Sequence, residues 1–307
     1  MSKTSTKQEK RDLDGVLLLD KALGVSSNTA LQQARRVFDA KKAGHTGVLD
    51  PLATGLLPIC FGEATKFAQY LLDADKAYSA TLKLGEASST GDAEGEIIAT
   101  ARSDISLTEL QTACAALTGK IRQVPPMFSA LKHEGKPLYE YARKGIVIER
   151  PARDIEIYSI EITEFSPPFA SINVRCSKGT YIRTLSEDIA KHIGTFAHLT
   201  ALRRTATAGF HIAQSHTLEQ LQTLNEAERN ALLLPCDALL AHLPQITLND
   251  YAIKMLQLGQ RPQQHEPLPA DTPIRIYSQA HTFIGLVQYQ ADIQRLKSVR
   301  LMNTSGV

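Results

Sequence analysis

Gly44-His45-Thr46-Gly47-Val48-Leu49-Asp50-Pro51-Leu52-Ala53-Thr54-Gly55-Leu56-Leu57-Pro58 is the stretch whose reading decides the fold of this chain. A single acid, Asp50, lies between two glycine-threonine elements and is followed by proline. Pro51 fixes its own φ and biases Asp50 toward an extended backbone. Gly44, Gly47 and Gly55 permit tight turns and close approach of another molecule. Val48, Leu49, Leu52, Leu56 and Leu57 surround the acid with apolar side chains. The pattern is a carboxylate on a stiff loop in an apolar bed, an arrangement that suits a nucleophile or base. Read alone, an Asp-Pro pair also fits a turn with a capping carboxylate.

On the N-terminal side, Gly15 to Lys21 reads as a buried strand ending in charge. Ser26, Ser27 and Asn28 offer N-cap chemistry for a helix with Leu31, Ala34 and Phe38 on one face. Beyond the string, Ala64, Phe67, Ala68, Leu71 and Leu72 mark one stripe of an expected amphipathic helix. Tyr78, Ala80, Leu82 and Leu84 alternate with Ser79, Thr81 and Lys83, the pattern of a half-buried strand. Ser88 to Gly95 reads as a polar loop. Ser106 and Glu109 form a capping box for a helix buried through Leu107, Leu110, Cys114 and Leu117 and ending near Gly119.

Val124-Pro125-Pro126-Met127 interrupts regular structure. Residues 129–153 then mix Lys132, His133, Lys136, Tyr139, Tyr141, Arg143, Lys144, Arg150 and Arg153, a composition suited to an RNA backbone with splayed bases or to an exposed helical hairpin. Ile155 and Ile157 are out of phase with Ile160 and Ile162, which predicts a bulge, and Ala170, Ile172, Val174 and Cys176 define another strand. It runs into a helix with Ile182, Leu185, Ile189 and Ile193 inward and Gly194 as its stop; Arg183 sits in the first turn. Leu199 to Phe210 reads as a strand and Leu218 to Leu243 as a helical, leucine-rich segment. A helix through Tyr251, Ile253 and Leu256 and strands 273–277, 283–288 and 295–301 suggest a small barrel at the C-terminal end.

The 307 residues suffice for one large domain and a small one. Hydrophobic content of 43% with 21% charged residues is ordinary for a globular protein. A net charge of +2 means that any basic surface must come from local clustering. Cys60, Cys114, Cys176 and Cys236 are far apart, which argues against a zinc site and for a reducing compartment. Val16 to Leu19 is too short an apolar run to span a membrane, and Met1 to Asp14 lacks a signal-peptide core, so a cytoplasmic protein with a flexible polar leader over 1–13 is expected.

The Asp50 string resembles the catalytic motif of the TruB family of tRNA pseudouridine synthases, G-H-T-G-x-L-D-P-x-A-T-G-x-L-P, and fills every fixed position of it. The likeness runs from about Gly15 to Phe210. It includes Gly15 to Lys21, Ser26-Ser27-Asn28, Gly62 to Lys66, Lys178 to Leu185 and Leu202-Arg203-Arg204, with Ala22 where the family often has proline. The resemblance implies an α+β pseudouridine synthase fold: a mixed, largely antiparallel central sheet flanked by helices, plus a small C-terminal PUA-like β domain. It divides the chain into a catalytic domain over 14–244, with an RNA-gripping insertion at 129–153, and a PUA-like RNA-binding domain over 245–307.

The implied reaction isomerises the uridine at tRNA position 55, in the T-arm loop, to pseudouridine by base flipping, without cofactor or metal. By the same resemblance Asp50 is the essential carboxylate, acting on sugar or base as nucleophile or removing a sugar proton, and Arg183 pairs with it, holding it ionised and aimed. Tyr78 stacks on the uracil and helps take the C5 proton, and His45 fills the space the base leaves. Tyr181 and Leu202 line the uracil pocket, and Lys21 supports the Asp50 loop. The implied partner is the T arm of tRNA, with no DNA, membrane or obligate protein partner, for a monomer of the standalone branch that also assists tRNA folding. Two rivals remain at this point. A non-catalytic RNA binder gains nothing from a carboxylate facing phosphates, and a phosphotransferase built on Asp50 would want further acids for magnesium.

Overall fold

The computed structural model describes residues 10–71 and 74–303. Most of the expected leader, with Lys3 and Lys7, lies outside them, as does Leu72. Among the described residues a nine-stranded sheet forms the body. Its path runs through Gly15–Lys21, Ala53–Phe61, Ala197–Thr207, Lys76–Leu84, Phe169–Cys176, Arg153–Ser166 and Gly119–Gln123, with Ala43–His45 and Phe210–His211 paired beside it. Ala53–Phe61 and Ala197–Thr207 pair in parallel and the other neighbours antiparallel, so the sheet is mixed and largely antiparallel, as expected.

One sheet face is buried under helices Ser27–Val37, Leu107–Ala116 and Ile182–Ile193. Leu17, Leu57, Ile59, Leu82, Ile172 and Val174 meet Leu31, Ala34, Leu110, Leu185 and Ile189 there. The Ser27–Val37 helix starts where Ser26 accepts a hydrogen bond from the Thr29 amide at 3.1 Å. Ile182–Ile193 ends at Gly194, which takes the left-handed conformation at φ 75°. The bulge expected in the Ile155–Ile162 strand is present as register shifts after Ile157 and Ile162. On the opposite face Val16, Leu18, Leu56 and Cys60 pack on Phe67, Leu71, Cys236, Leu239 and Leu240.

Several local expectations fail. The second half of the Asp50 string is a strand, Ala53–Phe61, and Val48 is 56% exposed instead of packed around the acid. Ala64, Phe67 and Leu71 do face a core, but Ala64 and Leu71 sit on two short 3-10 segments, Gly62–Lys66 and Ala68–Leu71, with Phe67 at the turn between them. The three-residue step from Ala64 to Phe67 serves a 3-10 turn as well as an α-helix. Leu107 is exposed, and Gly119 opens a strand that its short polar alternation hid. Part of the Ser88–Gly95 segment belongs to a hairpin, since Glu86–Ser88 pairs with Ile97–Thr100. The strand expected over 199–210 breaks at Ala208-Gly209, where both residues have positive φ. Leu218–Leu243 is cut into Leu218–Thr223, Glu226–Ala231 and the 3-10 segment Cys236–Leu240, because Asn225 caps a new helix and Pro235 precedes another.

The C-terminal sheet orders Gln245–Thr247, Ile274–Tyr277, Phe283–Gln290 and Arg295–Leu301, and its first pair is parallel. It is an open sheet, not the small barrel expected, and its first strand was not foreseen. Leu248, Ile253, Leu256, Ile274, Val287 and Leu296 make its core, with helix Asp250–Gln257 contributing Ile253 and Leu256.

Gly55 has no substitute at its position. Its φ is +102°, and a Cβ there would lie 2.4 Å from the Arg204 carbonyl oxygen and 2.8 Å from the Arg204 nitrogen. Gly55→Ala is expected to cost about 1–3 kcal/mol of stability from the strained backbone alone, seen as a clear fall in the thermal midpoint; an unchanged midpoint contradicts this packing.

Candidate active site

Sheet register builds the floor of the site. Lys21 is opposite Gly55, Gly55 opposite Arg204, Arg204 opposite Tyr78, and Tyr78 opposite Val174. The adjacent row on the same face runs Ala53, Leu202, Ala80, Ile172. Directly paired residues share a face, so Lys21, Tyr78, Leu202 and Arg204 all point to the helix-covered side. Arg203 points the other way and makes a two-pronged ion pair with Asp20, at 2.6 and 3.1 Å.

The loop carrying Asp50 lies over this floor and is tied down by backbone contacts. The Ser27 hydroxyl accepts from the Leu49 amide at 2.7 Å and lies 2.9 Å from the Leu49 carbonyl, to which it donates. The Gly24 amide donates to the Pro51 carbonyl at 2.9 Å. Lys21, fully buried, donates through Nζ to the carbonyls of Ala22 at 2.9 Å, Val25 at 2.5 Å and Pro51 at 3.4 Å. Burial pulls its ammonium down to about 8, with Asp50 and Glu94 pulling the other way.

Arg183, 5% exposed in the first turn of Ile182–Ile193, reaches Asp50 Oδ2 through Nη2 at 2.9 Å. The guanidinium also donates to the carbonyls of Thr90 at 3.0 Å and Phe128 at 2.6 Å, and its Nε lies 3.8 Å from Asp92 Oδ2. Asp92 is 3% exposed and accepts from the Thr90 hydroxyl at 2.6 Å and the Glu94 amide at 3.1 Å. Asp92 therefore belongs to the site, although the sequence reading passed over it inside a polar loop. Its neighbours Thr90 and Gly91, in a turn that folds back on the chain, were the available signal.

Asp50 itself is 38% open to the cleft. Burial raises its pKa above the ordinary 3.8; Arg183 and Lys21 oppose that shift, while Asp92 adds to it. The guanidinium thus aims the carboxylate but does not hold it below the usual range. His45 ends the Ala43–His45 strand; burial and Arg204 lower its pKa, so it is neutral at pH 7, and its Nδ1 has no hydrogen-bond partner among the described residues. Tyr78 is 9% exposed, and burial raises its phenol pKa against the opposing pull of Arg204. Tyr181 is the N-cap residue of the Arg183 helix, its amide donating to Gln123 Oε1 at 2.8 Å.

A cleft of about 570 Å³ opens on Asp50, Arg183, His45 and Asp92, and Tyr139 and Arg143 of the 129–153 segment form its outer wall. Arg143 stacks over the Tyr139 ring at 5.3 Å. That segment is a two-residue hairpin, Lys132–His133 with Lys136–Pro137, and a single helical turn, Leu138–Ala142. Tyr78, Tyr181, Leu202 and Lys21 do not line this cleft; Tyr78, Leu202 and Lys21 belong to the sheet and Tyr181 to the start of the Arg183 helix. A larger cavity of about 1160 Å³, lined by Tyr70, Asp75, Arg175, His211 and His242, contains none of these residues. Among the described residues no group of three or more His, Cys, Asp or Glu side chains is placed to hold a metal ion.

Residues 35–182 match the family described as TruB family pseudouridylate synthase, N terminal domain. Residues 183–241 match the tRNA pseudouridylate synthase B C-terminal domain, and 244–302 match pseudouridine synthase II TruB, C-terminal. The chain is 77% identical to tRNA pseudouridine synthase B of Neisseria meningitidis serogroup B, over 98% of each chain. It belongs to the TruB family of pseudouridine synthases. The protein of the same name from Chromobacterium violaceum is 50% identical over 96% of this chain and 97% of its own. Among solved structures, a chain of a Cbf5-Nop10-Gar1 complex aligns at TM-score 0.72 with 24% identity, over 94% of this chain and 84% of that one. A chain of an H/ACA ribonucleoprotein bound to a substrate RNA aligns at 0.70 with 22% identity. These two likenesses establish the fold, the TruB-type pseudouridine synthase fold with its α+β architecture.

The like charge of Asp92 raises the Asp50 pKa, so Asp92→Asn is expected to move the Asp50 titration to lower pH. Carboxyl NMR on labelled protein reads this directly; a shift to higher pH contradicts the electrostatic picture.

Proposed function

We propose that this chain isomerises the T-arm uridine of tRNA, at position 55, to pseudouridine, with Asp50 as the essential carboxylate. The observation that carries the proposal is the Asp50–Arg183 pair at 2.9 Å on the floor of a cleft of about 570 Å³. A carboxylate can reach the glycosidic carbon of a uridine only after the base leaves its stack, at a cost of a few kcal/mol, roughly. Stacking side chains at about 1–3 kcal/mol each offset that cost, and a folded T-arm loop lowers it further. Its relatives' name, tRNA pseudouridine synthase B, supports tRNA as the substrate.

In this reading Arg183 aims the carboxylate. Tyr78 stacks against the extruded uracil and accepts the C5 proton, and neutral His45 occupies the place the base vacates. Tyr181 and Leu202 flank the pyrimidine and Lys21 steadies the loop through the Pro51 carbonyl. Residues 129–153, with Tyr139 and Arg143 at the cleft wall, grip the T arm. The division at 244/245 separates the catalytic domain from a PUA-like module that extends the RNA contact. The protein works in the cytoplasm as a monomer, without cofactor or obligate partner, and also assists tRNA folding.

Asp50 must be ionised to act, and its pKa is raised. Activity therefore falls as pH drops through that raised value, which lies above the ordinary 3.8. The stability sign is opposite: a folded-state pKa above the unfolded one stabilises at low pH, and that contribution is lost as pH rises through the window.

Incubating an unmodified tRNA transcript with the protein alone is expected to yield a carbon-linked uridine isomer. Asp50→Asn should abolish product while keeping tRNA binding within about tenfold, the loss expected when chemistry but not phosphate contact is removed. Turnover by Asp50→Asn rejects the assignment. Binding should weaken steeply with salt; a flat response counts against phosphate contact by residues 129–153.

A further inference from the structure

The least explained group in the site is Arg204. It is 1% exposed, and its Nε donates to the Leu56 carbonyl at 2.7 Å. Nη2 is buried without a hydrogen-bond partner, and no ion pair among the described residues includes this guanidinium. A buried cation without a carboxylate costs several kcal/mol, roughly. Two glycines of the Asp50 string lie against this residue. A Cβ on Gly47, at φ +77°, would sit 3.4 Å from Nη1, and Gly55 packs against the Arg204 backbone. The residue directly across the sheet from Arg204 is Tyr78.

We propose that Arg204 is a positioning residue that serves as counter-charge to the Tyr78 phenolate while Tyr78 removes the proton from C5 of the rejoined uracil. The inference rests on the Tyr78 reading given above. The phenol loses its own proton to water when the site fills. The phenolate then takes the C5 proton, the C–H electron pair forms the C5=C6 bond, the C6=N1 π pair moves onto N1, which takes a proton from water, and the phenol passes the C5 proton to water. The resting cation lacks a carboxylate because its anion forms during turnover. Apart from Arg204, the ionisable groups facing Tyr78 are Cys176 on the neighbouring strand and Asp50 on the loop, and both disfavour the phenolate. Those facing Arg204 from other elements are His45 and Lys21, neither of which supplies negative charge. Arg204 is thus the group that can stabilise a phenolate there.

The test measures single-turnover rates on tRNA transcript, from mildly acid to alkaline pH, for Arg204→Met, Arg204→Lys, Tyr78→Phe and the double variant Tyr78→Phe with Arg204→Met. Arg204→Met is expected to lose about 100-fold at neutral pH, the low end of acid–base contributions, and to recover part of it at alkaline pH. Arg204→Lys should stay within about tenfold of the native rate, since it keeps the charge. In the Tyr78→Phe background Arg204→Met should cost nothing more. A folded Arg204→Met variant with the native rate, or with the same loss at every pH, overturns the inference. If Arg204→Met does not fold, Arg204→Lys decides: folded and inactive throughout, it overturns the inference. Full turnover by Tyr78→Phe sinks the Tyr78 reading itself, whereas an inactive Tyr78→Phe with a pH-independent Arg204 effect removes the Arg204 role alone.

Discussion

The buried guanidinium of Arg183 is the contact on which the site depends. It joins the Asp50 loop, the Thr90 turn with Asp92, the Phe128 carbonyl at the base of the 129–153 segment, and its own helix. A planar fork with five donors suits this task in a way that a lysine does not. Four segments distant in sequence must therefore be in place before Asp50 has its partner. The sheet supplies the rigidity behind this, because helix Ile182–Ile193 packs Leu185 and Ile189 into the main core.

Charge in the site is finely opposed. Burial raises the Asp50 pKa while Arg183 lowers it, and Lys21 and Asp92 pull in opposite directions. Arg204 acts on Lys21, His45 and Tyr78 together. Such a cluster binds the protonation state of each member to its neighbours, which is the usual condition of a reacting centre. It also explains why Lys21, at the end of a strand, is fully buried: its ammonium is met by three carbonyls and by the field of Asp50.

Much of this was legible in the sequence because it is local. Strand Gly15–Lys21, the Ser26 cap, the alternation of Tyr78 to Leu84 and the Gly194 stop follow from period and capping chemistry. The Asp50 string carried the family and pointed to Arg183 as partner. What escaped depends on pairing between distant segments. Asp92 looked like loop polarity until the fold buried it beside Arg183. Arg204 became conspicuous only when register set it between Gly55 and Tyr78. Ala64 to Leu71 and Leu218 to Leu243 were read as continuous helices because periodicity does not register a 3-10 turn or an internal cap.

The most direct test of the central claim is a structure of the protein with a T-arm stem-loop RNA. The account predicts an extruded pyrimidine nucleotide whose sugar or base lies within about 3.5 Å of an Asp50 carboxylate oxygen, the separation of reacting groups, with the Arg183 pair intact. A uridine still stacked inside its loop in the bound state, with Asp50 turned away from the RNA, would contradict it.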